Sequence, residues 1–299
     1  MGFDSSALRQ LIKAITGIYK YSIEKCTMTT NIKNWFKFNN TAFKIYHIIA
    51  SASVLLLILY GTWSQWLTCV VAYSIYMLVS TVMQHRYLSH KSFECPTWFL
   101  WVGTIVSVLG VSGPTISWVA IHRAHHRTVE TEQDPHSPWF RSLRSIFYPK
   151  LFLYSPPTIL RYIMDLRSMP FHVNIFQYYW AINLVFVTLI ITLFGWFAVV
   201  YIYLVPTLMK TYASSLFNIV CHKWGYRLYD TPDKSTNNFW MFFLTFGEAW
   251  HNTHHAFPTD SKSSRKWWEL DPQYWLIRAV QFVSGIPHSR RGHEDHNKL

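Results

Sequence analysis

The stretch IYHIIASASVLLLILYGTWSQWLTCVVAYSIYMLVSTVMQH, residues 45–85, contains no lysine, arginine, aspartate or glutamate. As α-helix, about 40 residues extend roughly 60 Å, which is enough for two crossings of a hydrocarbon core about 30 Å thick. The polar turn GTWSQ, 61–65, divides the stretch. We therefore predict a transmembrane hairpin with helices at about 43–60 and 66–84, rather than two buried helices of a soluble protein.

A second charge-free stretch runs from 168 to 209 and is divided near Gly195. It has the same length and the same apolar character as the first. We predict a second hairpin here, with transmembrane helices at about 175–194 and 196–217.

The charged residues flank these hairpins. Residues 1–44 carry seven lysines and arginines against two acids, and the segment 141–167 is also basic. By the positive-inside tendency, we expect these flanks and both termini to be cytosolic. Topology and anionic lipid headgroups then explain the net charge of +12, and no nucleic-acid partner is predicted.

The apolar segment TWFLWVGTIVSVLGVSGPTISWVAI, 97–121, is long enough to span a membrane. Two glycines and a proline interrupt it at VLGVSGP. We predict two short segments that dip into the membrane or lie at its interface. The alternative, a fifth span, would place the histidine-rich motifs before and after this segment on opposite faces.

Nine histidines stand near the predicted cytosolic ends of the helices, in four motifs: HRYLSH at 85–90, HRAHH at 122–126, NIVCH at 218–222 and HNTHH at 251–255. We expect these motifs to meet at one membrane face. Imidazole is a good ligand for iron, zinc, copper and nickel. Nine ligands exceed the four of a zinc site and fit two metal ions of five or six coordination. The predicted ligands are His85, His90, His122, His125, His126, His222, His251, His254 and His255, with Asn218 contacting one ion through water.

The spacing within the motifs supports shared use. Positions i, i+3 and i+4 lie on one face of an α-helix, so each HxxHH triplet can present three rings together. His85 and His90 are five residues apart, about 140° around an α-helix. That separation predicts that these two residues serve two neighbouring centres rather than one.

Two metal ions held by neutral imidazoles need compensating negative charge. Histidine ligands usually donate their second ring N–H to a carboxylate or carbonyl. We expect Glu248, Asp134 and Glu130 to accept these hydrogen bonds. Beyond the metal ligands, no further catalytic residue is predicted.

Together these residues resemble the membrane fatty acyl desaturase family. The segment ETEQDPHSP follows the second motif as it does in that family. FGEAWHNTHHAFP and RKWWELDPQYWLIRAVQ look like the stearoyl-type desaturases of bacteria and cyanobacteria. The resemblance covers about 43–285.

The resemblance implies an enzyme with two iron ions that uses O2 and two electrons to remove two hydrogens from an acyl chain. The product is a cis double bond, commonly between the ninth and tenth carbons. The nine histidines would be the iron ligands and Asn218 would hold a water ligand. No HPGG-type signature of a fused haem domain is present, so electrons are expected from a separate b-type cytochrome or ferredoxin with its reductase.

Animal acyl-CoA desaturases carry charged residues just before the second motif, where this chain has Ala120 and Ile121. This departure puts a coenzyme A contact at that point in doubt. Acyl-CoA and acyl lipid are the leading carriers of the substrate, and acyl-carrier protein stays open. An alkyl chain is positioned by shape, so we expect an apolar tunnel, with Cys69 and Tyr73 closing its far end or simply contacting neighbouring helices.

Two other functions fit parts of the sequence. The same scaffold could hydroxylate the chain, or desaturate a sphingoid base or another position. A divalent-metal transporter is disfavoured, because transporters place polar ligands near the membrane midplane and here the histidines follow the ends of the spans.

The predicted fold is an all-α integral membrane protein with four transmembrane helices arranged as two hairpins. A cytosolic helical cap, at about 85–174 and 218–285, carries the dimetal site. The chain divides into a basic interfacial segment 1–42, a membrane desaturase domain 43–285 and a polar tail 286–299. The expected location is the endoplasmic reticulum or a bacterial inner membrane.

Overall fold

The structure, a computed structural model, describes residues 28–142 and 161–287, with side chains from residue 41 onward. Contacts divide the chain into a smaller unit, Met1–Ile48, and a larger one, Ile49–Leu299. Of the smaller unit, the described part is the beginning of one long helix. Every contact discussed below lies within the larger unit.

The described residues form helices and connecting loops. They contain no β-strand, and extended backbone pairs only in two isolated bridges, Tyr226–Asn237 and Asn237–Trp250. The prediction of an all-helical fold is confirmed for this part of the chain. The predicted end segments 1–42 and 286–299 lie largely outside the described residues.

The first charge-free stretch forms two long helices. Helix α1 is Met28–Tyr60, and α2 is Trp63–Ser80, which continues without interruption as the π-helix Thr81–Ser89. Two segments of these helices, Thr41–Tyr60 and Trp63–Ser89, are long and apolar enough to cross a membrane. Both candidate spans coincide with helices predicted from the sequence.

The turn between α1 and α2 is shorter than the predicted 61–65. Only Gly61 and Thr62 are non-helical. The Gly61 amide donates to the carbonyl of Leu57 at 2.9 Å, and the Gln65 side chain accepts from the Thr62 amide at 2.9 Å. The Gln65 contact satisfies one of the amides that a helix N-terminus leaves unpaired, which allows α2 to begin directly after the turn.

The segment 97–121 is broken, as the sequence predicted. Helix α3 is Thr97–Leu109 and α4 is Thr115–Thr128. Between them Gly113 has a positive φ of 94°, a conformation that glycine adopts without a Cβ clash. Its amide donates to the hydroxyl of Tyr179 at 3.3 Å. Since α3 has 13 residues, it is shorter than a full span.

The second charge-free stretch is less regular than the first. After α5, Met164–Arg167, come α6, Pro170–Gln177, and α7, Tyr179–Phe194. Helices α6 and α7 are long and apolar enough to cross a membrane only if they are taken together, and the angle between them is 71°. The described part of the chain therefore has two helices able to cross a membrane, or three if this bent pair is one span.

The last predicted crossing, 196–217, is interrupted near its start. After Gly195 the backbone forms a π-helix, Val200–Leu204, and then α8, Val205–Val220. Helix α8 has 16 residues and carries the buried Lys210. The helix is too short and not apolar enough to be a candidate membrane span. The four-span topology therefore stays a prediction.

Lys210 connects α8 to the break between α3 and α4. Its Nζ donates to the carbonyl of Gly110 at 3.2 Å and to the hydroxyl of Ser112. A buried ammonium is costly unless it is hydrogen-bonded. These contacts explain how α8 accommodates a charge, and they fix the turn from which α4 begins.

The remaining residues form short elements around the histidine motifs. A 3₁₀ turn, Phe239–Met241, leads into α9, Phe242–Thr245, and α10 is His251–Ala256. Helix α11, Pro272–Val283, packs against α2 and its π-helical extension. The main apolar cluster joins that π-helix to α3, α4, α5 and α11, so these elements together position the histidines.

Candidate metal centre

The nine predicted histidine ligands form two groups in the structure. In each group the ring nitrogens lie within 4.8 Å of one another and can hold a metal ion. The five-histidine group contains His85, His90, His122, His126 and His254. The four-histidine group contains His125, His222, His251 and His255.

His85 and His90 lie in the same group, so the prediction that they serve two centres is wrong. The physical reason is the π-helix Thr81–Ser89. A π-helix closes its hydrogen bonds on the fifth residue rather than the fourth, and the His90 amide donates to the His85 carbonyl at 3.2 Å. The two rings therefore lie on one face and meet edge to face, with centroids 5.0 Å apart and planes at 76°.

Each of the two HxxHH motifs contributes histidines to both groups, two to one group and one to the other. On α4, His122 and His126 belong to the five-histidine group, whereas His125 points to the other group. On α10 the assignment is reversed, because His254 alone joins the five-histidine group. Residues four apart on an α-helix share a face, which explains why the i and i+4 histidines stay together in both motifs.

The distances between Nε2 atoms fit ligands around a common ion. In the five-histidine group, the Nε2 atoms of His85 and His254 are 2.9 Å apart, and those of His90 and His122 are 2.7 Å apart. In the four-histidine group, His251 and His222 are 3.0 Å apart. Two nitrogens bound at right angles to one ion, each at about 2.0–2.1 Å, are about 2.9 Å apart.

Burial favours the neutral state, which binds metal, in several of these rings. It lowers the pKa of His90, His122 and His126 well below the usual value, and repulsion between neighbouring histidines lowers it further. The pKa values of His251 and His254 are lowered in the same way. Neutral rings leave a lone pair on each group's converging nitrogens, and a cation between them removes the repulsion of those lone pairs.

Carboxylates hold the outer nitrogens of three histidines of the four-histidine group. The Nδ1 atom of His125 is 2.8 Å from Asp134, that of His222 is 3.2 Å from Glu130, and that of His255 is 3.0 Å from Asp233. With Nδ1–H donating outward, Nε2 is left as the acceptor toward the group. The Nε2 atoms of His125 and His255 are indeed buried without a hydrogen-bond partner.

Two of these carboxylates, Asp134 and Asp233, are held in the ionised form. Burial raises the pKa of Asp134, but its hydrogen bond with His125 and its attraction to that ring outweigh this and bring the pKa down to about 2. The pKa of Asp233 is lowered as well, since the contact with His255 outweighs the effect of burial. Each carboxylate therefore offers negative charge to the ring it contacts.

The five-histidine group is supported differently. Glu248 contacts the Nδ1 atom of His85, and its other oxygen is 3.8 Å from Nε of the buried Arg86. Arg86 also binds both carboxylate oxygens of Asp271, at 2.9 and 3.1 Å, and the carbonyl of Ser261 at 2.6 Å. Asp271 caps α11 by accepting from the Tyr274 amide. A buried chain of charges thus connects His85 to α11.

The structure places the three predicted carboxylates beside histidines, Glu248 at His85, Asp134 at His125 and Glu130 at His222. Glu130 was predicted from its closeness to HRAHH, yet it contacts a histidine 92 residues away. Sequence reasoning missed Asp233, which lies between two motifs and next to neither. It also missed Arg86, although an arginine inside HRYLSH, next to a predicted ligand and an apolar helix, was a signal.

Asn218 is half-buried on α8, one turn before His222. Its side-chain amide donates to the carbonyl of Ser214 at 3.0 Å. Its predicted role, through a water molecule, stays a prediction.

The two predicted tunnel residues are buried between helices. Cys69 packs with Leu57, Val200 and Val205. The hydroxyl of Tyr73 donates to the carbonyl of Leu244. These contacts show how both side chains are held in place, and a role in closing a tunnel stays a prediction.

Comparison with known proteins places this chain in a family. Residues 60–291 match the family model described as fatty acid desaturase. The chain is 35% identical over 202 residues to the sn-2 palmitoyl-lipid 9-desaturase of Nostoc sp. (strain 36), covering 66% of this chain and 71% of that protein. It is 31% identical to the Delta-9 acyl-lipid desaturase 2 of Arabidopsis thaliana, covering 84% and 82%.

A third relative is the Acyl-CoA C20 Delta5-desaturase of Anemone leveillei, 30% identical, with 87% of this chain and 84% of that protein covered. The relatives thus include enzymes named for lipid-bound and for CoA-bound chains. The match to the family model covers more than half of the chain and includes all four histidine motifs. The chain therefore belongs to the fatty acid desaturase family and is a fatty acyl desaturase.

Proposed function

We propose that this desaturase binds two iron ions and uses O2 to introduce a cis double bond between the ninth and tenth carbons of a saturated acyl chain. The balanced reaction converts the saturated chain, O2, two electrons and two protons to the unsaturated chain and two molecules of water. The acyl chain would be carried on a membrane lipid, with acyl-CoA as the second choice. The relatives named 9-desaturases of acyl lipids support both the position and the carrier.

One observation carries the proposal: two all-histidine groups of five and four rings lie side by side. The rings of His125 and His126, neighbours in sequence but members of different groups, have centroids 5.6 Å apart. Two adjacent nitrogen-rich sites suit a pair of iron ions better than one zinc ion, because a zinc site needs only four ligands. When bound, two iron ions would supply the oxidising power that an unactivated methylene requires.

The residues around the groups prepare the site for that chemistry. Carboxylates fix the orientation of His85, His125, His222 and His255, so that these rings need not reorganise when metal binds. Trp118 stacks on His122 at 5.0 Å and 13°. Such apolar cover excludes water and so limits side reactions of a strong oxidant. We propose that Asn218 holds a water ligand of the neighbouring group and that Cys69 and Tyr73 limit chain length.

We further propose that the chain crosses the membrane four times, at about 43–60, 66–84, 175–194 and 196–217. The histidine motifs and both termini would be cytosolic, in the endoplasmic reticulum or a bacterial inner membrane, and 43–285 would form the desaturase domain. The basic flanks support this orientation. Electrons would come from a separate b-type cytochrome or ferredoxin with its reductase.

Expression in an unsaturated-fatty-acid auxotroph tests the reaction. The chain should restore growth, and mass spectrometry should find the double bond between carbons nine and ten of membrane lipids. The matched control is His254→Ala, in which a predicted ligand is absent and no product should form. Metal analysis of the purified protein should find two iron ions per chain.

Other results would change the proposal. Hydroxylated chains without double bonds would identify a hydroxylase on the same scaffold. A double bond at another carbon would keep the di-iron reaction and refute the position. Zinc alone, after expression in iron-rich medium, would contradict oxidation chemistry.

A further inference from the structure

The short segment from the 3₁₀ turn to α9, Phe239–Thr245, carries an exposed apolar surface. Four large side chains form it: Phe239, Trp240, Phe243 and Leu244 are 41, 75, 57 and 37% exposed. Phe239 and Phe243 contact each other, with centroids 5.6 Å apart. A continuous aromatic patch of this kind on a folded protein usually marks contact with another molecule or a membrane.

The opposite side of the segment is buried against the metal centre. Met241 is 3% exposed and belongs to the apolar cluster that contains Phe217 and Trp250. Phe242 stacks on Trp250 with an interplanar angle of 18°. Phe217 of this cluster contacts the His251 ring with centroids 4.7 Å apart, so the cluster is the layer of side chains between the exposed patch and the four-histidine group.

The segment lies beside the middle of a candidate membrane span. Tyr73 of α2 donates its hydroxyl to the carbonyl of Leu244, and Phe246 packs against Tyr73, Met77 and Ala213. Tyr73 precedes His85 by twelve positions, a rise of about 18 Å along a helix. At Leu244 the patch therefore adjoins the apolar surface of Trp63–Ser89, and at its other end Phe239 contacts Trp268 with centroids 6.0 Å apart.

Side chains pair with backbone amides and carbonyls at both ends of the segment, as an apolar environment requires. In hydrocarbon every amide and carbonyl needs an internal partner. At the start, the Asn238 side chain accepts from the amides of Trp240 and Met241. At the end, the carbonyl of Leu244 is satisfied by Tyr73 and that of Thr245 by Gln273 at 2.9 Å. Without these side chains, the last carbonyls of so short a helix would require water.

We propose that the patch formed by Phe239, Trp240, Phe243 and Leu244 is embedded in the acyl region of the bilayer and binds membrane lipid. Part of the segment 218–285, predicted to be a cytosolic cap, would thus lie in the membrane. Tryptophan and phenylalanine suit this depth because they are large and apolar, and the indole N–H can reach the headgroups. Lipid acyl chains would then lie one side-chain layer from the metal centre.

Site-directed spin labels in lipid nanodiscs test the depth of the patch. The label is attached to cysteine in Trp240→Cys and, separately, in Phe243→Cys, after Cys26 and Cys95 have been changed to serine. Buried Cys69 and Cys221 remain. The measurement compares collisions of the label with O2, which concentrates in hydrocarbon, and with a water-soluble nickel chelate.

Two control positions calibrate the measurement. Leu67→Cys lies on the exposed face of the span Trp63–Ser89, and Asp230→Cys lies on a fully exposed loop residue. Labels at Trp240 and Phe243 should resemble Leu67, with O2 collisions in excess. Labels that resemble Asp230, with the nickel chelate in excess, would overturn the proposal. Both patch positions are exposed, so the substitutions should not disturb folding.

A second experiment rests on the proposed desaturase reaction. The double variant Trp240→Ser/Phe243→Ser should convert acyl lipid in nanodiscs at least about fivefold more slowly than the parent, because the apolar contact with lipid is lost. Conversion of the same lipid in detergent micelles should change little. Equal losses in both would refute a role of the patch in lipid contact. An inactive parent protein would refute the proposed reaction and leave the spin-label result standing.

Discussion

The five-histidine and four-histidine groups differ most in the charge that surrounds them. Three carboxylates contact the four-histidine group, and none of them forms an ion pair with a lysine or arginine of the described residues. One carboxylate, Glu248, contacts the five-histidine group, and Arg86 lies beside it. The group with fewer histidines is thus the one with more carboxylates around it.

This difference indicates that the two ions would not be equivalent. Negative charge on outer partners makes imidazole more basic and favours an ion of higher charge. We expect the four-histidine group to depend on its carboxylates for metal affinity. The five-histidine group has more ligands, and we expect it to depend more on the buried Arg86 for its architecture.

The largest effect should come from removing one histidine of each group. His254→Ala and His255→Ala change adjacent residues, yet each removes a ligand from a different group. Both should reduce turnover by about 1000-fold or more, equivalent to about 4 kcal/mol. Each variant should retain preferentially the ion of the other group, as measured by metal content and by Mössbauer spectra of iron-57. Identical spectra for the two variants would contradict the division into two groups.

A large loss of stability should follow from Arg86→Met. The substitution leaves Glu248 and Asp271 buried without their cation, and breaking a buried pair costs about 3–5 kcal/mol. The control is Lys91→Met, which removes an exposed partner of Asp165 and should cost less than about 1 kcal/mol. Denaturation of the purified proteins in detergent measures both. A similar small loss for the two variants would show that Arg86 does not support the five-histidine group.

Asp233→Asn and Glu248→Gln should have a smaller effect, a loss of metal affinity, and each should affect a different ion. Loss of the carboxylate beside a histidine ligand typically lowers metal affinity about 10–100-fold. Asp233→Asn should weaken only the ion of the four-histidine group, and Glu248→Gln only that of the other. Titration of metal-free protein with Co²⁺, followed by absorption, would resolve the two sites. Weakening of both ions by either substitution would mean that the groups do not bind independently.

The smallest effect should be an acid sensitivity of the metal-free protein at the four-histidine side. Burial lowers the pKa of His136 to about 4, and burial lowers that of His255 to about 4 although its hydrogen bond to the Asp233 carboxylate opposes this. In the unfolded chain each titrates near about 6.5. Between these values the unfolded state binds more protons, so stability is present above pH 6.5 and is lost as the pH falls toward 4.

By pH 5.5 each of these two histidines should cost about 1.4 kcal/mol. Unfolding of the metal-free protein at pH 7.0 and 5.5 measures the combined loss from these two residues and the other buried histidines, and His136→Phe should reduce the difference by about 1.2 kcal/mol. Stability that stays constant over this range would mean that the rings are not buried in their neutral form.

Much of this fold was predictable because its signals are local. Lack of charge over 45–85 identifies apolar helices, and GTWSQ identifies a turn, since both depend on neighbouring residues. The glycines and proline of VLGVSGP likewise predicted the break between α3 and α4. The second hairpin was harder to predict, because the bend between α6 and α7 and the buried Lys210 depend on contacts with distant helices.

In the candidate metal centre, too, the features that depend on neighbouring residues were predictable and those that depend on distant contacts were not. Its nine histidines are recognisable from their spacing, but their assignment to groups is not. The spacing of His85 and His90 is informative only if the backbone conformation is known, and α-helical geometry gave the wrong answer for a π-helix. Asp233 and Arg86 were missed because the partners that define their roles are distant in the sequence or belong to other elements.

The sequence by itself determined the apolar helices and the histidine motifs near their ends, because hydrophobicity and residue type are properties of single positions. Only the tertiary structure decided which rings lie in the same histidine group and which carboxylate accepts a hydrogen bond from which histidine. It also decided that the aromatic patch of Phe239 to Leu244 lies beside a candidate span. Those features depend on residues brought together across as many as 171 positions, as Tyr73 and Leu244 are. No local pattern encodes such a distance, since it results from how all the helices fit against one another.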